Sequence, residues 1–210
     1  MSLLNFEAIR TATVHENPFP YLLVDQCLQP EAWEPLLTEF PSIEQGGSFP
    51  LSALSLRPSY QSLCEELQGE TLRQCFGSLF KMDLVGYPTT LTVRGRCRAK
   101  DGKIHTDSKS KLITVLLYLN EPWTAEGGRL RLLHSKRDIN NAFAEIAPNM
   151  GTLVAFRNGP TAWHGHTSFD GARRAMQLNW VRDENAVRRS SRRHGLSAIW
   201  KRLTGVQRAA

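Results

Sequence analysis

The sequence predicts a mainly β chain with N-terminal helices, an α+β arrangement in which the strands form an antiparallel sandwich or jelly roll. Three observations predict it. Apolar residues up to Phe80 recur with the helical period. After Pro88 the pattern switches to strict alternation, with Leu91, Val93, Gly95 and Cys97 set against Thr92, Arg94, Arg96 and Arg98. From there on, turn residues recur at intervals that leave room only for many short strands.

Taken in order, Asn17-Pro-Phe-Pro20 reads as a turn feeding a short strand that ends at Asp25. Pro30 opens a helix, where its missing N–H costs nothing. Trp33, Leu36, Leu37 and Phe40 form its apolar stripe, and Pro41 ends it. Residues 41–58, with Gly46-Gly47, Pro50 and Pro58, read as a loop long enough for a lid or a variable region. Leu63, Leu67, Leu72, Cys75, Phe76, Leu79 and Phe80 give a second helical stretch over 59–81, broken near Gly69. Strands are expected at 91–98, 111–120, 129–133, 142–147, 151–156, 161–167 and 172–182. Glu126-Gly-Gly128, Pro148-Asn149, Asn158-Gly-Pro160 and Asp170-Gly171 punctuate them. The expected organisation is one domain over 1–182, with a helical scaffold over 1–88 and a jelly-roll core over 89–182, followed by a basic tail over 183–210.

Bulk properties exclude several classes. A chain of 210 residues with 41% apolar content can bury a sizeable core, and no apolar run is long enough to span a bilayer. Cys27, Cys64, Cys75 and Cys97 are scattered without a CxxC and read as buried thiols. The N-terminus lacks a basic stretch followed by an apolar one, so a cytoplasmic protein is expected. The formal net charge of +6 resides entirely in residues 182–210, which makes nucleic acid an unexpected partner for the neutral body. Leu196, Ile199, Trp200 and Leu203 would share one side of a short helix within 190–206. Peripheral contact with an anionic inner-membrane face is one reading of that tail, and docking on its own domain is the plainer one.

The chemistry centres on His105-x-Asp107. Alternate side chains in an extended segment point the same way, so this imidazole and carboxylate can meet at one point. A histidine from Trp163-His-Gly-His166 would complete a face of two nitrogens and one oxygen. That donor set belongs to non-haem Fe(II) oxygenases. His164 and His166 share a strand face, so both qualify. A strand ending Tyr118-Leu-Asn120 follows the triplet. After it come Gly127-Gly128-x-Leu130, Pro148-x-x-Gly151-x-Leu153-Val154-x-Phe156, the two histidines, and Arg173-Arg174 in a strand ending at Trp180.

In this ordered set the chain resembles the Fe(II)/2-oxoglutarate-dependent dioxygenases, in their prolyl-4-hydroxylase-like branch, from about Leu91 to Val181. The resemblance implies a double-stranded β-helix core that holds Fe(II), with 2-oxoglutarate and O2 as cosubstrates and ascorbate as a candidate reductant. It implies His105, Asp107 and His164 as metal ligands. It implies Arg174, ten residues after His164, as the partner of the far 2-oxoglutarate carboxylate, with Tyr118 beside it. Arg173 is the rival, and Arg174 is preferred for sharing a strand face with Met176, Leu178 and Trp180. Related enzymes place a tyrosine near the cosubstrate where this chain has Arg96, which makes Arg96 a further candidate. The expected activity is hydroxylation of an unactivated C–H bond, with 2-oxoglutarate converted to succinate and CO2. A degenerate jelly-roll binding module and a cupin-like metal enzyme are the alternatives. The substrate stays open among prolyl peptide, amino acid and sugar or lipid precursor. An anionic one is suggested by Arg94, Arg96, Arg98, Lys100, Lys103, Lys109 and Lys111 around the metal segment.

Overall fold

A computed structural model describes residues 2–189. The notions about a tail helix over 190–206 lie outside the described residues. Four helices, α1 (Phe6–Arg10), α2 (Trp33–Thr38), α3 (Pro58–Gln68) and α4 (Glu70–Leu79), precede almost all of the sheet. Pro58 starts α3 at a position that needs no N–H. Gly69, in extended conformation, separates α3 from α4, so the long periodic stretch is two helices. The short α1, capped by the Asn5 side chain on the Ala8 N–H at 3.1 Å, carries too few residues for a periodicity to show.

Nine strands form among the described residues. They are β1 (Tyr21–Val24), β2 (Phe49–Pro50), β3 (Thr89–Cys97), β4 (Lys111–Tyr118), β5 (Leu130–Leu133), β6 (Ala142–Ile146), β7 (Leu153–Arg157), β8 (Trp163–His166) and β9 (Gly171–Val181). Six of them form an antiparallel sheet in the order β1-β7-β4-β9-β3-β2. Three form a smaller sheet in the order β6-β5-β8. The region expected to be a loop contributes β2 and a 3-10 turn at Leu51–Ala53, so it lengthens the edge of the large sheet at β3.

The two faces of the large sheet differ in chemistry, and that difference positions the site. Val93, Val115, Leu117, Leu153, Met176, Leu178 and Trp180 point to one side and pack with Leu63, Leu67, Leu72 and Phe76 of the helices. The other side faces the small sheet. There Tyr118, Val154, Phe156 and Ala175 join Leu130, Leu132, Phe19 and Ile146 in a second apolar cluster. Thr92, Arg94, Thr114, Gln177 and Asn179 on the same side line an open cavity. The inside of the sandwich is therefore apolar in one part and polar in another. All four cysteines are buried free thiols. No helix among the described residues is long and apolar enough to cross a membrane.

Trp180 is the largest fully buried side chain and stacks at a tilt on Phe76, ring centroids 5.4 Å apart. It joins β9 to α4. Trp180→Ala should lower stability by about 3–5 kcal/mol, because the transfer and cavity costs both fall on a site that cannot collapse. Val85→Ala, at a position 74% exposed, should change it by less than about 0.5 kcal/mol. Urea unfolding followed by circular dichroism measures both, and equal midpoints would contradict the assigned packing.

Candidate active site

Two glycines allow the site to form. Gly102 has φ +84°, and a Cβ there would stand 2.4 Å from the His166 ring. A Cβ on Gly165 would lie 2.7 Å from the Gly102 carbonyl oxygen. With neither side chain present, the segment before His105 lies directly along β8. His105 and His164 then exchange two backbone hydrogen bonds, each 3.0 Å. The glycine in Trp-His-Gly-His is thus a clearance for the first ligand segment.

The pairing sets the two imidazoles with centroids 4.3 Å apart. One nitrogen of each of His105 and His164 and one oxygen of Asp107 lie within 4.8 Å of one another. His105 Nδ1 is 2.8 Å from the Lys103 carbonyl, and His164 Nδ1 is 3.0 Å from that of Ala162. A carbonyl only accepts, so each Nδ1 carries the proton and each Nε2 keeps its lone pair. A carbonyl holding the far ring nitrogen in this way leaves the other free to face a metal ion. His166 lies in the same cavity, but its Nδ1 donates to Thr167 at 2.9 Å and its Nε2 stands 3.9 Å from the Cys97 thiol. It is not one of the three residues whose donor atoms converge.

Asp107 is held on both oxygens. Lys111 donates to Oδ1 at 2.7 Å and the Thr114 hydroxyl donates to Oδ2 at 2.6 Å. Burial pushes its pKa up, but the charges of Lys111 and His164 and the two hydrogen bonds prevail and hold it at about 2. Burial, together with repulsion from His105, lowers His164 to about 4. Burial and the charge of Arg173 do the same to His166. At neutral pH Asp107 is therefore a carboxylate and His164 a neutral imidazole, and with the His105 Nε2 they form a donor set that suits a divalent iron. Sequence reading missed the roles of Lys111 and Thr114. Their signal was present, since Lys111 is four residues past Asp107 and Thr114 shares the inward face of β4 with Tyr118.

Arg173 and Tyr118 line the same cavity. Arg173 is 5% exposed. Its Nε donates to the Gly128 carbonyl at 2.7 Å, its Nη2 donates to the Tyr118 hydroxyl at 3.2 Å, and its guanidinium sits 5.0 Å from the Tyr118 ring centroid. Every one of these partners is neutral, and among the described residues no carboxylate pairs with it. This accounts for the Gly127-Gly128 motif, since Gly128, at φ +78°, presents the carbonyl that orients Arg173.

The choice of Arg174 is corrected by this geometry. Arg174 does share a face with Met176, Leu178 and Trp180, but that face packs on the helices. Its guanidinium lies 4.9 Å from the Phe40 ring centroid and donates to the Leu37 carbonyl at 3.4 Å. The cavity side of β9 is Arg173, Ala175, Gln177 and Asn179. The apolar stripe marked the helix side of the sheet and was taken for its interior. Asn120 secures the register: its Oδ1 accepts the Arg174 N–H at 2.6 Å, and its Nδ2 donates to the Pro148 and Arg174 carbonyls at 2.6 and 3.0 Å.

Arg96 is corrected as well. The β3–β9 pairing slips between Arg94 and Arg96, so the two do not share the environment that simple alternation expects. Arg94 lines the cavity, whereas Arg96 is half exposed and pairs with Asp170 at 2.7 Å.

Residues 96–182 match the family model of the 2OG-Fe(II) oxygenase superfamily. No curated protein matches the chain. Among solved structures, the chain is similar to a Pseudomonas putida prolyl-4-hydroxylase, with TM-score 0.53 and 14% identity over 84% of this chain and 89% of the other. It is similar to a viral collagen prolyl hydroxylase from Paramecium bursaria Chlorella virus-1, with TM-score 0.53 and 14% identity over 77% and 96%. A prolyl 4-hydroxylase from Phytophthora capsici gives TM-score 0.54 and 18% identity over 77% of this chain, which spans 58% of that longer one. At such identities the structures speak for the fold, a prolyl-4-hydroxylase-like jelly roll, and the family match speaks for the cofactors, Fe(II), 2-oxoglutarate and O2. Through residues 96–182 the chain is similar to the 2OG-Fe(II) oxygenase superfamily.

Proposed function

We propose that this oxygenase hydroxylates an unactivated C–H bond of an organic substrate at the cavity between its two sheets, with His105, Asp107 and His164 as iron ligands and Arg173 with Tyr118 as the 2-oxoglutarate clamp. One observation carries the reading. A buried guanidinium with only neutral partners shares a cavity of about 400 Å³ with a two-histidine, one-carboxylate donor set. A buried cation without an anion is costly, so the site is built for an anionic ligand to arrive. When bound, iron(II) and 2-oxoglutarate supply the oxidation, in which O2 delivers one oxygen atom to succinate, released with CO2, and one to the substrate C–H bond.

The rest is the work of the chain. The Lys103 and Ala162 carbonyls fix the two ring tautomers. Arg173 offers a planar fork that pairs bidentately with a carboxylate and keeps its proton. Tyr118 accepts from Arg173 and so retains its own O–H for the same carboxylate. A degenerate binding module would lack a ligand or the buried arginine. A cupin-like enzyme without 2-oxoglutarate would have no need of Arg173. Both features are in place, which supports the oxygenase over either alternative.

Succinate release from 2-oxoglutarate, assayed with Fe(II), ascorbate and a substrate panel, tests the assignment. Asp107→Ala should abolish it. Arg173→Met should weaken 2-oxoglutarate affinity by on the order of 2–5 kcal/mol, roughly thirtyfold or more. Arg174→Met should leave that affinity within about threefold, because its side chain lies among Phe40 and Leu37. An Arg174 variant that loses 2-oxoglutarate while Arg173→Met keeps it would sink the clamp.

The histidine shifts predict a pH effect on the metal-free protein. His164 and His166 sit near 4 when folded, below the ordinary 6.5, so the unfolded chain binds more protons between those values. Stability is therefore lost as pH falls from about 6.5 toward 4, by about 2 kcal/mol per imidazole between pH 7 and 5. Asp107, lowered from 3.8 to about 2, acts only below that window. Urea midpoints in the presence of a chelator should show a shallower loss for His166→Asn. A slope unchanged by that substitution would contradict the burial assigned to this ring.

A further inference from the structure

On the reading above, the charges lining the cavity do not balance. Arg94, Lys111 and Arg173 line it as cations, and Asp107 is the one acidic residue among the lining residues. Three cations against one carboxylate leave a surplus of two. An iron(II) ion and a 2-oxoglutarate dianion cancel each other, so the surplus survives loading. Lys111 is committed to Asp107 at 2.7 Å, and the clamp takes Arg173. Arg94 is left.

Arg94 is poorly satisfied where it stands. Its nearest carboxylate oxygen is Asp101 Oδ2 at 3.7 Å. Asp101 is already gripped by Arg98, through Nη2 on Oδ1 at 3.0 Å, Nε on Oδ2 at 3.4 Å and the backbone N–H on Oδ2 at 3.1 Å. The other partners of Arg94 are the Ser48 hydroxyl at 3.4 Å and the Cys97 thiol at 3.6 Å. Charge-assisted bonds of an arginine run about 2.7–2.9 Å, and none of these reaches that range. A guanidinium has five donors in a fixed fork. This one is half-buried at the cavity wall, with a hydroxyl beside it and a single carboxylate, 3.7 Å away, that it shares with Arg98.

The approach has the same sign. A second depression, about 320 Å³, shares Gly102 and His166 with the cavity and carries the exposed Lys100 and Lys103 beside Asp101. Basic side chains at a mouth concentrate anions there and raise their rate of encounter.

We propose that the organic substrate of this oxygenase is a small anion, a carboxylate or a phosphate ester, whose oxygens are held by Arg94 and the Ser48 hydroxyl while its C–H bond faces the His105–Asp107–His164 centre. The inference rests on the clamp assignment of Arg173, which frees Arg94 for the substrate. It makes Arg94 a determinant of specificity and separates this site from one made for a neutral peptide.

Calorimetric titration of the Mn(II)- and 2-oxoglutarate-loaded protein tests it, with inorganic phosphate, acetate, neutral acetamide and an end-blocked prolyl peptide as probes. The wild type should bind phosphate or acetate and not acetamide, and the tighter of the two anions names the headgroup. Arg94→Gln should weaken that anion at least tenfold, Ser48→Ala should weaken it less, and Arg94→Lys should retain most of it, which separates charge from folding. Absence of anion binding in the wild type, equal binding by Arg94→Gln, or a peptide that binds more tightly than either anion and ignores Arg94→Gln would overturn the proposal. Loss of 2-oxoglutarate affinity in Arg94→Gln would also overturn it, by moving Arg94 into the clamp. Undiminished 2-oxoglutarate affinity in Arg173→Met would instead overturn the clamp on which it rests.

Discussion

The site depends on a pair of backbone hydrogen bonds between His105, in the irregular segment between β3 and β4, and His164 of β8. Metal ligands need placement to a fraction of an ångström, and loops are poor at that. Here the irregular segment carrying His105 and Asp107 is stitched to β8, itself the edge of a sheet, so the two proposed ligands His105 and His164 inherit the rigidity of one strand. The stitch is possible because Gly102 and Gly165 remove the two side chains that would keep the strands apart. The convergence of the three donor residues thus begins with a steric permission.

A second constraint is the inversion of polarity across the large sheet. Most half-buried sheets show water their polar face. This one gives its more apolar face to helices and turns Thr92, Thr114, Gln177 and Asn179 inward. An interior of that kind stays folded only if its polar groups are paired. Thr114 bonds Asp107, Asn179 donates to Thr90 at 3.0 Å, and Gln177 donates to Asn179 at 3.1 Å. Arg173 is the exception, since its partners compensate its donors but not its charge. The fold stores that imbalance at the cavity wall.

Much of this was legible in the chain. The change of period after Pro88 gave the order of helices and strands, because burial on one face imposes its spacing on the residues. The meeting of His105 with Asp107 and the cavity placement of Tyr118 were legible because local spacing and order carry them. Arg173 was not, for a physical reason. Alternation says which residues of β9 share a face but not which face looks inward, and the apolar stripe through Met176, Leu178 and Trp180 pointed to the helices. Arg96 failed differently, through the register slip beside Gly95, which no pattern of hydrophobicity records. Asn120 and Gly128 act through an amide and a carbonyl in the connection between β4 and β5, and only the folded chain brings these to Arg173 and Arg174.

The electrostatics of Asp107 explain how one residue can be both fixed and available. A carboxylate has two oxygens with two lone pairs each. Lys111 takes one direction on Oδ1 and Thr114 takes one on Oδ2, so each oxygen can hold its protein partner and still face a metal ion. The same contacts keep the group ionised well below neutral pH, which removes the proton that would compete with a cation. Their cost is a lysine charge beside the proposed metal position, which would weaken a bound cation. A carboxylate held rigid but partly neutralised binds a divalent ion less tightly than a free one could. It would bind in one orientation, however, and orientation is what a site that must also place a cosubstrate needs.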